Sequence, residues 1–401
     1  MPPSPRPLPY HRAVVEHLRS SEPGLWNWFS SSRERTREAD AVRLELLKTT
    51  YRLDPPSQPR LHEIVNDVRG RMELTCSVTL YQSQTGGDLN AALAYLPSEA
   101  HIILSGPLAT VLSESEVRAV LAHELAHFML FDEGEGEYLV AADLLRALAV
   151  DPAAGNAASE SARLYNLWTE IFADRWACHT SEDVTVAIAA LLKTSTGLAE
   201  VNAESYLRQA EEIFAKSTES TDHVSHPEPY IRARALRLWA ERGDEAQAEI
   251  DRMIEGGVSL QRLDLLGQKR VANLTRRFLQ ALLTPAWFRS EAVMAHASRF
   301  FADFAIDAEP IDSDTLKRDL DAGDASLRDY ICYLMLDFVT VDRELGDPAL
   351  SAAIVLARRL GLDKRFAELV QKELGLGKKA FARIDRDAES ILARTESVHQ
   401  P

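Results

Sequence analysis

Cysteine, long apolar runs and positive charge are all scarce in this sequence, and each shortage removes a class of protein. The 401 residues include only three cysteines, Cys76, Cys178 and Cys332, scattered with no paired spacing. That pattern argues against a disulfide frame and fits reduced, mostly buried thiols of a cytosolic protein. No uninterrupted apolar run approaches the ~18 residues of a membrane span. The longest candidates, Val184 to Leu192 and Tyr330 to Val341, are too short, and the second contains Asp337. The proline-rich start, Met1 to Pro9, lacks the apolar segment of a signal peptide. Lysine and arginine number 45 against 61 aspartates and glutamates, a net charge of −16. So acidic a surface argues against nucleic acid or an anionic membrane as the main partner. The expectation is a cytoplasmic protein with no integral membrane segment.

What remains is ordinary for a globular chain: 46% hydrophobic and 26% charged residues, in a length that accommodates two or three domains. Tyr10 to Leu18 and Arg35 to Leu53 read as two helices separated by a Ser/Gly/Pro-containing stretch with Trp26 and Trp28. Pro55, Pro56 and Pro59 then break the chain, and Leu61 to Met72 resumes as an amphipathic helix. The period next shifts to alternation: Cys76–Tyr81, Ala91–Leu96 and His101–Ser105 read as strands of a small sheet. From Ser113 onward nearly everything reads as helix.

Directly after that sheet comes His123-Glu124-Leu125-Ala126-His127. Ser113 followed by Glu116 forms a capping-box pattern, and Val117 to Ala122 carries strong helix formers into the motif. On a helix, His123 and His127 lie one turn apart on one face, where two imidazoles can share one zinc ion. Glu124, about a third of a turn round, reaches a zinc-bound water rather than the ion. The helix is apolar on nearly every side, hence buried, and two histidines and a glutamate are costly there unless a metal pairs them. The competing reading is a pair of core histidines satisfied by backbone carbonyls.

A zinc hydrolase needs a third protein ligand. Leu164 to Arg175 forms a second helical pattern in which Glu170 and Asp174 share a face, while Ala173 and Ala177 are small enough to admit a neighbouring helix. Glu170 is the best third ligand, and Asp174, one turn on, can accept the proton of the far ring nitrogen of a zinc-bound histidine. The bland alternative is surface ion pairing of Glu170 and Asp174 with residues such as Arg175.

The ordered blocks His123-Glu124-Leu125-Ala126-His127 and Glu170-Ile171-Phe172-Ala173-Asp174 resemble the gluzincin metallopeptidase family that includes the CAAX prenyl protease and the bacterial heat-shock membrane protease. Upstream, Asn90-Ala91 resembles that family's asparagine–alanine segment at the edge of the active-site sheet. Downstream, Ser225-His226-Pro227 with Arg232 resembles its Ser/Thr-His-Pro segment. The likeness runs from about Leu61 to Leu238. It implies that His123, His127 and Glu170 hold one zinc ion per chain, that Glu124 is the general base, and that Asp174 supports the ligands. It also implies that Asn90 and Ala91 bind substrate and that His226 stabilises an oxyanion. His226 read instead as a turn residue before Pro227 caps the next helix, and His223 competes for the catalytic role. Arg232 read structurally pairs with Asp174 or Glu228. The named relatives are membrane-embedded, whereas no span is visible here.

Further on, Tyr330 to Leu345, with Ala357-Arg358-Arg359-Leu360-Gly361-Leu362 behind it, resembles the tellurite-resistance TerB-like helical domain over about Trp287 to Ala393. Asp337, Asp342 and Glu344 either bind a cation at a helix end or solvate a turn, with Asp347 capping the next helix.

The expected fold is mainly α with a small β-sheet: an N-terminal helical segment (1–57), an α+β zincin-like catalytic domain (58–245) and an all-α TerB-like domain (246–401). The expected activity is that of a zinc-dependent endopeptidase on peptide or protein substrates, hydrolysing through a glutamate-activated zinc-bound water. A loop from Asp132 to Asn156 is expected to cover the cleft. The rival reading is a non-catalytic zinc-stabilised scaffold that recruits a protein partner through its C-terminal helices, and a lesser third is a zinc hydrolase of a non-peptide amide.

Overall fold

A computed structural model of the protein describes residues 4–32, 36–84, 87–151, 154–216, 229–307 and 311–399. The chain folds as two units, Met1–Gly256 and Gly257–Pro401. The first opens with helices α1 (Pro9–Ser21), α2 (Pro23–Ser32) and α3 (Thr36–Thr49), strand β1 (Thr50–Leu53) and helix α4 (Pro59–Arg71). Strands β2 (Ser77–Ser83), β3 (Asn90–Leu96) and β4 (Glu99–Ser105) follow, then the short α5 (Leu108–Val111) and the long α6 (Glu114–Asp132). The unit continues through α7 (Glu137–Val150), α8 (Gly155–Ser181), α9 (Val184–Thr196), α10 (Ala203–Lys216), α11 (Pro229–Arg242) and α12 (Gln247–Glu255).

The sheet runs β1-β2-β4-β3, with β2 and β4 parallel and the outer pairings antiparallel. The strand at Thr50–Leu53 corrects the expected helix from Arg35 to Leu53. The helix stops at Thr49, where Thr49-Thr50-Tyr51 places two β-branched residues and an aromatic just before Pro55, and the chain instead pairs Thr50 with Ser83 and Leu53 with Leu80. The Ser/Gly/Pro stretch around Trp26 also departs from expectation: Pro23 starts α2, and Trp26 is buried beneath the Arg19 guanidinium, 5.0 Å from its ring centre. The expected covering loop from Asp132 to Asn156 is largely helix α7, and none of its described residues lines the cavity at His123 and His127. The chain reaches α7 through a tight turn in which Gly134, Glu135 and Gly136 all take left-handed backbone.

Local chemistry sets the ends of α6 as the sequence predicts. The Ser113 hydroxyl accepts from the Glu116 amide, and the Ser113 amide donates to the Glu116 carboxylate at 2.7 Å. Lys193 of α9 donates to that same carboxylate at 2.9 Å, so one residue caps α6 and ties it to its neighbour. The apolar faces of α6 bury Leu121, Leu125 and Phe128 between β3, α4, α8 and α9. At the other end of the first unit, α1 packs on α7 and α8 and sinks His11 completely among Tyr138, Tyr165 and Phe172. The Leu8 amide donates to His11 Nδ1 at 3.3 Å, which leaves Nε2 to donate to Thr169 Oγ1 at 3.2 Å; Thr169 donates onward to the Tyr165 carbonyl.

The second unit is helical: α13 (Leu265–Leu282), α14 (Glu291–Phe300), α15 (Ser313–Asp321), α16 (Ala325–Val341), α17 (Gly346–Arg359), α18 (Asp363–Glu373) and α19 (Lys378–His399). Its core is built on Phe278, Phe288, Ile331, Met335, Phe338 and Phe366. Together the units give the mainly α fold with a small sheet, followed by an all-helical region, that the sequence predicts. Among the described residues no helix is long and apolar enough to cross a membrane.

Burial pushes the His11 pKa down from 6.5 to about 3, against the pull of the Tyr165 backbone. Above pH 6.5 both folded and unfolded chains hold this ring neutral, so it adds no pH dependence. Below pH 6.5 the unfolded chain takes up a proton that the native state refuses, and stability falls by about 1.4 kcal/mol per unit. Replacing His11→Gln keeps an acceptor and a donor at that site and removes the titration. Urea unfolding at pH 7 and pH 5 should show the wild type losing about 2 kcal/mol more than the variant; equal losses would disprove the assignment.

Candidate metal centre

The helix of His123 and His127 is long enough, and capped firmly enough, to hold both rings on the face turned towards α8. Their ring centres lie 4.9 Å apart and their Nε2 atoms 3.3 Å apart. From α8, Glu170 brings Oε2 to 3.5 Å from His123 Nε2 and Oε1 to 3.7 Å from His127 Nε2. One donor atom from each of the three lies within 4.8 Å of the others, and this is the sole such His/Cys/Asp/Glu grouping among the described residues. Asp337, Asp342 and Glu344 therefore form no comparable cluster. Asp337 instead accepts from His296 at 2.7 Å, and Asp342 caps the turn at Glu344.

A charge network surrounds the donors. Asp174 Oδ1 lies 3.1 Å from His123 Nδ1, so the ring's outer N–H donates to the carboxylate and its Nε2 is turned to Glu170 and His127. From α11, Arg232 donates to Asp174 through Nε at 2.7 Å and Nη2 at 2.6 Å, while its Nη1 stands 3.0 Å from Glu170 Oε2. Glu170 and Asp174 are thus inward-facing groups of a buried network rather than surface partners of Arg175. That arginine donates to Gln247 at 2.8 Å and stacks over Trp239.

Burial is the largest influence on every titratable group here, and the neighbours decide which way each one goes. For His123 burial opposes charge, but Asp174 and Glu170 prevail and raise its pKa to about 10. Burial instead lowers His127 to about 4, with Glu170 opposing and the charge of His123 adding to the fall. Burial would raise Glu170 and Asp174, yet Arg232 and His123 hold both below the usual carboxylate range. Burial raises Glu124 to about 7. The positive His123 and Arg232 thus offset the negative Glu170 and Asp174 within one buried network. Two imidazole nitrogens and a carboxylate oxygen form a donor set that zinc accepts, so the residues fit a metal of that kind.

Glu124 is buried, lines the same cavity, and accepts a hydrogen bond from the Leu93 backbone amide. Leu93 belongs to β3, whose other edge pairs with β4, so the outer edge of the sheet runs beside this carboxylate. Asn90 and Ala91 line the cavity too. His226, with Ser225, Pro227 and the competing His223, lies outside the described residues, as does Glu228.

Two features of the site escape a reading of the sequence. One is the Leu93 amide, a backbone group that no side-chain pattern announces. The other is the face of α9, where Ala187, Ala190, Leu191 and Thr194 line the cavity. Their i, i+3, i+4, i+7 spacing is the signal that could have found it, in a stretch notable above only as too short for a membrane span.

Residues 55–240 match the model of Peptidase family M48. The chain is also similar to the plastoglobule-localized metallopeptidase 48, chloroplastic, of Arabidopsis thaliana, at 28% identity over 179 residues, which covers 40% of this chain and 51% of that protein. The chain thus spans about half the length of this curated relative. No solved structure matches. The cluster of His123, His127 and Glu170 falls wholly inside the segment that matches peptidase family M48, a family of zinc-dependent metallopeptidases.

Proposed function

We propose that the protein is a zinc-dependent endopeptidase of the gluzincin type, with His123, His127 and Glu170 as the metal ligands and Glu124 as the general base. The observation that carries this reading is the convergence of two imidazole nitrogens and one carboxylate beside a buried, unligated glutamate, in a cleft that borders a sheet edge. A zinc ion bound there supplies Lewis acidity, polarising the scissile carbonyl and making a water easier to deprotonate at neutral pH. Glu124 takes that water's proton as its oxygen attacks the carbonyl carbon, and returns it to the nitrogen as the C–N bond breaks. Asp174 fixes the tautomer of His123 through the Nδ1 contact, and Arg232 orients both acids of α8. An extended substrate adds to the outer edge of β3 at Asn90 and Ala91, which brings its backbone alongside Glu124. His226, in its Ser225-His226-Pro227 motif, stabilises the oxyanion.

The catalytic part spans 58–245, and 246–401 is a TerB-like helical module that engages a protein partner, in a cytoplasmic protein. The absence of any helix able to span a membrane among the described residues is compatible with that location, and the all-helical second unit with that module.

Two substitutions test the centre. In Glu124→Gln, zinc should stay at one equivalent per chain while hydrolysis of unfolded casein falls about 10²–10⁴-fold; turnover at the wild-type level would reject the base. A wild type that binds zinc yet cuts no unfolded protein would favour the scaffold. In Asp174→Asn, chelator competition should report zinc affinity weakened about 10–100-fold, and unaltered affinity would remove Asp174 from the ligand support.

A further inference from the structure

A second cavity, of about 400 Å³, opens between α1 and α7 and shares no lining residue with the one at the donor cluster. Sites for small molecules are of that order of size. Arg12, Val15, Glu16 and Arg19 come to it from α1, and Glu137 and Tyr138 from α7. The four residues of α1 recur at i, i+3, i+4 and i+7, so one face of that helix is turned to the cavity.

The polar groups of this cavity divide into committed and uncommitted ones. Arg19 donates to Glu137 at 2.5 Å, so those two charges cancel each other locally. Arg12 donates one N–H to the Pro7 carbonyl at 2.6 Å, but it has no ion pair among the described residues. Glu16 has none either. The third uncommitted group is Tyr138, which is 5% exposed and whose hydroxyl has no hydrogen-bond partner among the described residues. Its ring meets the buried His11 edge-on, with centres 6.2 Å apart, and this packing fixes the hydroxyl in place. Burial raises the Tyr138 pKa, helped by Glu137 and Glu133, so at neutral pH the hydroxyl keeps its proton and is a donor. Arg12 and Arg19 pull the other way, so both guanidiniums act on this phenol.

A guanidinium without a charged partner and a nearly buried hydroxyl together suit a carboxylate. A ligand with negative charge alone would meet Glu16 uncompensated, and one with positive charge alone would meet Arg12 in the same way. A molecule carrying both charges satisfies the two residues, one turn apart on α1, at once. Val15 adds apolar surface to the lining, which an aliphatic side chain can cover. We propose that this cavity binds a free α-amino acid, its carboxylate on Arg12 and the Tyr138 hydroxyl and its ammonium on Glu16. The inference is independent of the peptidase reading, and α1 lies outside the segment that matches the family.

The test titrates the zinc-loaded full-length protein with leucine, N-acetylleucine and leucinamide, followed by ligand-observed NMR. N-acetylleucine lacks the ammonium, and leucinamide lacks the carboxylate. Leucine should bind at least about tenfold more tightly than either. Arg12→Gln should weaken leucine about tenfold and leave leucinamide within about twofold, because leucinamide has no carboxylate to lose from Arg12. Glu16→Gln should weaken leucine by a similar factor and leave N-acetylleucine within about twofold. Both positions are exposed, so these variants keep the fold. Tyr138→Phe retains the ring against His11 and removes only the hydroxyl, and leucine should again weaken about tenfold. Three probes of equal affinity would overturn the site, as would a failure of leucine to saturate at millimolar concentration. Leucine binding that survives all three substitutions would place the ligand elsewhere, for instance on the metal centre, and would overturn it equally.

Discussion

Charges enclosed in a protein have to be balanced by other charges in reach, because each buried ion costs several kcal/mol in lost hydration. Three carboxylates, from Glu124, Glu170 and Asp174, lie within one small volume together with two imidazoles and a single guanidinium. Arg232 spans Asp174 and Glu170, Asp174 holds the outer nitrogen of His123, and His123, His127 and Glu170 bring three donor atoms to one meeting point. Helices α6, α8 and α11 contribute one corner each. Their packing is therefore inseparable from the electrostatics.

The surrounding scaffold keeps those corners in register. Glu116 closes the first turn of α6 and grips Lys193, so the histidine helix and the α9 wall are fastened at one point. Leu93 fastens the opposite side by donating its outward amide to Glu124. The site is thus bounded by the Ala187–Thr194 face of α9 and by the edge of β3.

Local signals were readable wherever the physics is local. The capping box at Ser113, the alternation of Ala91–Leu96 and His101–Ser105, and the one-turn spacings of His123/His127 and Glu170/Asp174 all depend on neighbours within a few residues, and each recurs in the structure as an N-cap, a strand or a shared helix face. The misreadings have a different origin. Thr50–Leu53 continues a helical pattern until a partner strand about 30 residues away captures it, and the turn to α7 needs three consecutive left-handed residues, of which Glu135 is not a glycine. Pairing and strain of that kind are imposed by distant parts of the chain.

Alone, the order of residues determined the helical character of most of the chain, the two histidines one turn apart with their glutamate, and the acid pair that Glu170 and Asp174 form on a later helix. Spacing along a helix is a property of the backbone's own period, so these needed no third dimension. Only the tertiary structure decided that the acids face the rings, that Arg232 reaches Glu170 as well as Asp174, that the β3 edge passes Glu124, and that α9 turns a face to the same cavity. Those facts depend on which surfaces of separate helices lose water together, and a linear pattern carries no record of that choice.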